Sequence, residues 1–202
     1  MQPTIELAKS SNTLNKLTFV LLYATDFADR LEKEIVPALK AGFIVLSDRY
    51  IYTAMARAGV RGVDRTWIRN LYGFAIAPHL VFYLKIDEKT LIRRVLQARG
   101  MDYWESGMDM KLGDDIYESF RAYQKALLKE YASMSDEFGF RVLDARRKVE
   151  VIQDELRKQV SAFLEPVDPV AVGRGERVVH GRPGRSPRLV LDLLEHRCVH
   201  DP

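Results

Sequence analysis

The sequence GFIVLSDRY, residues 42–50, decides the fold, because a short apolar run ends there at an acid, a base and an aromatic residue. Isoleucine, valine and leucine after a glycine are typical of a strand buried on both faces of a parallel sheet, and we predict a strand over residues 43–47. Ligands of open α/β sheets bind outside the carboxyl ends of the strands, where Asp48 and Arg49 stand. The alternative is a surface turn in which these two charges pair with each other.

Composition narrows the class of protein. The chain has 202 residues, of which 47% are hydrophobic and 29% charged, and these values are ordinary for a globular protein with one core. A net charge of +3, with bases and acids interspersed, does not give the basic footprint of a nucleic-acid binder. A single cysteine excludes an internal disulfide, and the sequence has neither a membrane-length apolar run nor a signal peptide. We therefore predict a cytoplasmic protein that binds neither nucleic acid nor membrane.

Outward from residues 42–50, the chain alternates between helical and strand patterns. Alternation of this kind predicts parallel strands joined by right-handed crossovers. Pro37 interrupts the first predicted helix, and the Met-, Gly- and Asp-rich residues 101–115 predict a mobile loop. The predicted helices cover residues 17–41, 64–77, 88–99, 117–137 and 149–163, and the predicted strands cover residues 43–47, 80–86 and 140–143.

The composition changes after residue 165. Residues 166–202 are rich in proline and arginine, and only the short LVLDLLEH run interrupts this pattern. Such a segment buries too little apolar surface to offset its ordering entropy, so we predict a disordered tail behind a domain of residues 1–165. Three histidines and Cys198 lie in the tail, but their spacing matches no common metal site.

Several motifs, taken in order, resemble the thymidylate kinase family of P-loop nucleoside monophosphate kinases over roughly residues 10–163. The resemblance implies an α/β fold with a P-loop kinase-like parallel sheet and flanking helices. The motifs are LLYATDFADR (21–30), IVPALKAG (35–42), IVLSDRY (44–50), RGVD (61–64), RVLQARG (94–100) and LDA (143–145).

The resemblance assigns roles around the DR pair. It implies that Arg49 grips the phosphate of the nucleoside monophosphate and that Asp48 orients the reacting phosphates and their magnesium ion. A guanidinium binds phosphate oxygens bidentately, and phosphoryl transfer depends mainly on positioning and electrostatics. Tyr23 matches the aromatic residue that stacks on the base, with core packing as the alternative, and Tyr50 and Thr53 complete the implied substrate-binding set.

The resemblance also implies a lid after the helix at residues 88–99. Arg94 and Arg99 match family positions that stabilise the transferring charge, with Arg99 in a catalytic role, although a solvated helix face is the alternative. Tyr103 and Glu105 stand in the lid region, where MDYWE replaces a pattern in which an arginine is common.

Two further departures concern the base. The position of the family's thymine-reading arginine is occupied by Phe27, and the glutamine of its base pocket aligns with Ala58. Phenylalanine cannot donate a hydrogen bond to a base carbonyl, so thymine preference does not carry over. Asp26, Arg30 and Arg57 are the remaining candidates for reading the base.

The largest departure is the glycine-rich loop. The 202 residues contain no G-x-x-x-x-G-K-[ST], the loop whose backbone N–H groups and lysine cradle the donor phosphates in P-loop kinases. We therefore expect the chain to lack the N-terminal P-loop strand and helix and to begin about a quarter of the way into the family domain.

The resemblance thus implies a thymidylate-kinase-like enzyme that phosphorylates dTMP or a related monophosphate, with ATP and Mg²⁺ as cofactors, and the lack of the glycine-rich loop predicts impaired catalysis. The alternative is a non-catalytic module that binds a nucleotide or dimerises. The resemblance also implies a homodimer through the helix at residues 17–41.

Overall fold

Four parallel strands form the sheet in this computed structural model, which describes residues 14–98, 100–164 and 190–195. Their order across the sheet is β1-β4-β2-β3. The predicted parallel α/β architecture is therefore confirmed for the described residues. The strands are β1 (Val45–Asp48), β2 (Leu80–Lys85), β3 (Arg141–Asp144) and β4 (Val190–Glu195).

Helices connect the strands and lie close to the spans predicted from periodicity. The exception is α3, which the periodicity did not predict. The helices are α1 (Lys16–Arg30), α2 (Val36–Lys40), α3 (Tyr52–Val60), α4 (Arg65–Leu71), α5 (Glu88–Ala98), α6 (Ile116–Phe138) and α7 (Val149–Leu164).

The predicted interruption at Pro37 has a specific form. A π-helical turn, Leu31–Ile35, joins α1 to α2, and Pro37 lies in the first turn of α2. Proline has no N–H to donate to the carbonyl four residues earlier, so a change of helical register just before it removes the conflict. The whole segment therefore remains helical.

Polar side chains fix two helix starts where the sequence predicts them. The Trp67 N–H donates to Asp64 Oδ1 at 2.7 Å, and the Thr90 N–H donates to Asp87 Oδ1 at 2.9 Å. Each aspartate satisfies a backbone donor that has no partner within its helix. The helix capped by Asp64 ends at Leu71, earlier than the predicted end before Pro78.

Strand β4 comes from the segment that we expected to be disordered. Residues 190–195 pair in parallel with β1 on one side, Val45 with Val190, and with β2 on the other, Leu80 with Leu191. The prediction of disorder is thus wrong for these six residues, and the rest of the predicted tail lies outside the described residues. Because β4 lies between β1 and β2, it connects the two halves of the sheet.

The main core lies on one face of the sheet. Val81 and Tyr83 of β2 point into it and pack with α1, α3, α4 and α6, whereas Leu80 and Phe82 face α7 on the opposite side. Strand β1 is half-buried on one face and exposed on the other, where Leu46 is 71% exposed. The prediction of a strand buried on both faces is therefore wrong, because α7 covers β2 and β3 and no described helix covers this face of β1.

Candidate functional site

The turn after β1 has an unusual backbone. Arg49 and Tyr50 have φ angles of 69° and 31°, in the left-handed region that residues with a side chain rarely adopt. Contacts hold this turn: the Tyr50 hydroxyl donates to the Ile76 carbonyl at 2.9 Å, and the Phe27 ring meets the Tyr50 ring edge-on at 4.9 Å. Such conformations cost about 1–3 kcal/mol each and concentrate at functional sites.

The turn leads into a small cleft between the helices and the lid-region loop. Arg49 and Thr53 come from the end of β1 and the start of α3, and Glu105 comes from the loop between α5 and α6. The cavity volume is about 30 Å³, about the space of one water molecule, so a nucleotide requires this cleft to open. The lining residues are Arg49, Thr53, Arg57, Leu91, Val95, Glu105, Phe120, Gln124, Leu127 and Tyr131.

The polar groups of the cleft are arranged in pairs. Arg57 Nη2 lies 3.8 Å from Glu105 Oε1, and Arg49 Nε lies 3.7 Å from Asp48 Oδ1. The side chain of Arg49 is only 16% exposed, whereas that of Asp48 is 67% exposed. A partly buried guanidinium at the carboxyl end of a parallel strand suits a phosphate or carboxylate ligand.

One buried hydrogen bond supports the wall of the cleft. The Tyr131 hydroxyl donates to Thr53 Oγ1 at 3.1 Å. Burial raises the pKa of Tyr131, although the Thr53 bond and the charges of Arg57 and Arg49 oppose the rise. The phenol is therefore a neutral donor that orients Thr53.

The remaining predicted base-binding residues lie elsewhere. Tyr23 and Phe27 are absent from the lining of the cleft. Tyr23 meets the Phe19 ring edge-on at 5.2 Å, and Phe27 is buried against Tyr50, Tyr72 and Phe74. In this conformation Phe27 is an aromatic core residue, and Tyr23 packs on its neighbour one helical turn away.

The predicted lid residues do not all lie at the cleft either. Glu105 enters the cleft, whereas Tyr103 is 43% exposed and packs edge-on to Trp104. Arg94 is partly buried on α5 outside the lining of the cleft. Arg99 lies outside the described residues, so its predicted catalytic role remains a prediction.

The sequence patterns indicated no role for several residues that the structure brings to the site. Gln124 and Tyr131 come from α6, whose periodicity indicated a helix but not the face that lines a cleft. Arg61 lies beyond the lining but contacts the lid-region loop through Asp109. It belongs to the quoted RGVD motif, and that motif was the only signal for its importance.

Two buried tyrosines, Tyr72 and Tyr131, provide a test of how hydrogen bonding of a buried hydroxyl affects the stability of the fold. The buried Tyr72 hydroxyl has no hydrogen-bond partner among the described residues, and burial, assisted by the nearby Tyr23 phenol, raises its pKa above the ordinary value. A buried polar group without a partner costs about 1–3 kcal/mol. We expect Tyr72→Phe to leave stability unchanged or increase it by about 1 kcal/mol in urea unfolding. Tyr131→Phe, the matched control, removes the bond to Thr53 and should lower stability by about 1 kcal/mol. A clear loss of stability in Tyr72→Phe would contradict this interpretation.

The residues of the site fit one of the two implied cofactors, Mg²⁺, better than the other, ATP. Mg²⁺ is usually held by one or two carboxylates together with substrate phosphates and water, and the exposed carboxylate of Asp48 fits that role. The described residues contain no group of three metal-ligating side chains. Donor phosphates of ATP need the glycine-rich loop, which the sequence lacks, so the residues do not fit ATP in the family manner.

These features define a parallel α/β protein with a small cleft, lined in part by the largely buried Arg49, at the carboxyl end of a strand. Among the described residues, no helix is both long and apolar enough to cross a membrane.

Sequence comparisons give the family. The sequence profile described as Thymidylate kinase matches residues 4–156. The "Probable thymidylate kinase 2" of Saccharolobus solfataricus is 37% identical over 163 residues, which are 80% of this chain and 76% of that protein. The "Probable thymidylate kinase" of Thermococcus kodakarensis is 31% identical over 145 residues, 71% of this chain and 64% of that protein. The corresponding protein of Thermococcus onnurineus is 31% identical over 137 residues, 67% and 60% of the two chains. The match thus spans less than two thirds of both Thermococcus proteins.

The chain belongs to the thymidylate kinase family, as the resemblance of its motifs predicted. The profile match begins at residue 4 and therefore does not support the expectation that the chain starts a quarter of the way into the domain.

Proposed function

We propose that this chain binds the acceptor of a thymidylate-kinase-type reaction, dTMP or a related nucleoside monophosphate, with Arg49 as its phosphate ligand. The observation that carries the proposal is the strained turn at Arg49 and Tyr50, which directs a largely buried guanidinium into the cleft. Strain of this kind persists where the surroundings over-determine the conformation, and here it puts a cation at the ligand-binding edge of the sheet. Membership of the family supplies the class of ligand.

The proposed binding mode uses the chain's own residues only. Arg49 would bind the phosphate bidentately, with Thr53 oriented by Tyr131 beside it. Asp48, exposed at the end of β1, would hold Mg²⁺, which would neutralise negative charge on the phosphates. Arg57 and Glu105 offer a donor and an acceptor to the nucleoside, so they are better placed to read it than Phe27.

Phosphoryl transfer by these 202 residues is proposed to be impaired. The donor phosphates would lack the backbone N–H groups and the lysine of the glycine-rich loop, and electrostatic positioning of those phosphates is the main source of catalysis in this chemistry. The chain would therefore bind a monophosphate without turning over ATP at the rate typical of a kinase.

The experiment combines calorimetry with a coupled ADP-release assay. Full-length protein is titrated with dTMP, dUMP, dCMP and dGMP, and each mixture is then assayed with ATP and Mg²⁺. We expect binding of at least one monophosphate and little or no ADP release. Absence of binding by all four would refute the acceptor site, and ADP release that disappears in Arg49→Met would refute the impairment.

A homodimer through the first helices is a further proposal. Leu17 and Leu21 on α1 are 48% and 45% exposed, which supports burial of this face in a second copy. Light scattering on the wild type and on Leu21→Asp tests it: we expect a dimer mass that falls to that of the monomer in the variant. A monomeric wild type would contradict the proposal.

A further inference from the structure

Arg61 is a largely buried cation outside the lining of the cleft. Its side chain is 13% exposed, and it forms two hydrogen bonds with Asp109, from Nε to Oδ2 at 2.8 Å and from Nη2 to Oδ1 at 2.9 Å. Burial disfavours its charge, but the bonds to Asp109 and the contact with Tyr123 outweigh it, and the pKa of Arg61 is raised. A bidentate ion pair away from solvent offsets the cost of desolvation only when its geometry is good and further hydrogen bonds satisfy the remaining donors.

The same guanidinium also contacts two further residues, Tyr123 and Trp104, from different parts of the chain. Nη1 donates to the Tyr123 hydroxyl at 2.5 Å, and Nη2 donates to the Trp104 carbonyl at 3.3 Å. Its central carbon also lies over the rings of Tyr123 and Trp104, at 4.9 Å and 5.8 Å from their centroids. One side chain at the end of α3 thus joins the loop at residues 102–110 to α6.

Helix α6 holds the other side of this loop. Gln124 donates to the Glu105 carbonyl at 2.9 Å, and Ser119 donates to the Ser106 carbonyl at 2.8 Å. A Cβ atom at Gly107 would lie 2.8 Å from the ring of Tyr123, so only glycine allows this approach. The residues that we expected to form a mobile loop therefore have a packed, tethered conformation.

We propose that Arg61 is a positioning residue of the acceptor site: its ion pair with Asp109 fixes the loop at residues 102–110 and thereby holds Glu105 against Arg57 in the cleft. The ligand in this inference rests on the proposed function. The tethering of the loop by Arg61 does not depend on it. The fixed loop keeps Glu105 in a pre-organised position, so loss of the anchor weakens ligand binding without removing any group that touches the ligand.

Trp104 provides a reporter that separates tethering of the loop from binding of the ligand. The chain has two tryptophans, and Trp67→Phe leaves Trp104 as the only one. In the structure, Trp104 stacks on Phe19 with ring centroids 5.1 Å apart and lies beside Arg61, so both contacts shield it from solvent. Release of the loop should expose it to a quencher.

The experiment measures acrylamide quenching of Trp104 and the dissociation constant of dTMP in the Trp67→Phe protein. Arg61→Met is expected to raise the quenching constant about twofold, because the loop opens locally, and to weaken dTMP binding about tenfold or more. Asp109→Ala removes the same pair from the loop side and should give the same two changes, which keeps the test valid if Arg61→Met fails to fold. The matched control is Arg157→Met, which breaks an exposed pair with Asp154 on α7 and should change neither value.

The possible outcomes test the tethering of the loop by Arg61 separately from the proposed function. Unchanged quenching in both Arg61→Met and Asp109→Ala would show that the Arg61–Asp109 ion pair does not fix the loop. Increased quenching with unchanged dTMP binding would overturn the positioning role. If the Trp67→Phe protein binds dUMP, dCMP or dGMP but not dTMP, that monophosphate replaces dTMP in the titrations. If it binds none of the four, the proposed function and the positioning role both fail, while the quenching result still decides whether Arg61 tethers the loop.

Discussion

Leu193→Pro is expected to unfold the protein or lower its stability by about 3 kcal/mol or more, a larger loss than we expect from any of the other substitutions. Leu193 lies in β4, where its Cα pairs with Asp48 on one side and with Phe82 on the other. Proline donates no hydrogen bond to the ladder and is confined to edge strands. Because β1 and β2 meet only through β4 in the described sheet, damage to this strand divides the sheet into two parts.

Thermal and urea unfolding followed by circular dichroism provide the measurement. The matched control is Ile116→Pro, at the first position of α6, where proline is tolerated and the preceding Asp115 is already extended. A chain that ends at Glu165, the predicted domain boundary, should behave like Leu193→Pro. If Leu193→Pro melts within about 2 °C of the wild type, less than the shift from 1 kcal/mol, β4 is not part of the stable sheet.

Arg49→Met is expected to weaken binding of the nucleoside monophosphate by about 10- to 100-fold. A charge-assisted hydrogen bond contributes about 1.5–3 kcal/mol, and 1.4 kcal/mol corresponds to a factor of ten. Methionine keeps most of the length and apolar contact of the arginine, so the comparison isolates the guanidinium. It also removes a largely buried charge, so the fold should not be destabilised by a new unpaired group.

Calorimetric titration of both proteins measures this effect. Arg157→Met is the matched control, because Arg157 is an arginine with a 72% exposed side chain on α7 that pairs only with neighbouring Asp154 in the described contacts. Equal affinities of the wild type and Arg49→Met would show that the phosphate binds elsewhere.

Local patterns predicted most of the elements because their signals lie within a few residues. Periodicity gave the spans of α6 and α7 to within one residue at each end, and it gave the first helical segment, residues 17–41, without the π-helical turn that separates α1 from α2. The starts predicted for the helices at residues 64 and 88 agree with the observed caps. The apolar run before Asp48 gave the strand, but not its exposure on one face, which depends on what packs there. Burial on both faces is a property of the assembled layers and not of the strand's composition.

Long-range contacts could not be predicted in this way. The short run LVLDLLEH was visible in the sequence, yet nothing local indicates that it pairs between strands more than a hundred residues earlier. The same holds for Arg61, whose partners Asp109 and Tyr123 lie 48 and 62 residues further along the chain. For the site, the DR motif indicated Arg49, which lines the cleft, but its role stays a prediction. Tyr23, which matches a family position, and Phe27, which replaces the family's arginine, both pack away from the cleft.

The most direct test of the central claim is a calorimetric comparison of dTMP with thymidine, which differ only in the phosphate. If Arg49 at the end of β1 binds the acceptor phosphate, dTMP should bind the full-length protein at least about tenfold more tightly than thymidine. Equal binding of dTMP and thymidine, or no binding of any of dTMP, dUMP, dCMP and dGMP, would contradict an acceptor-phosphate site at Arg49.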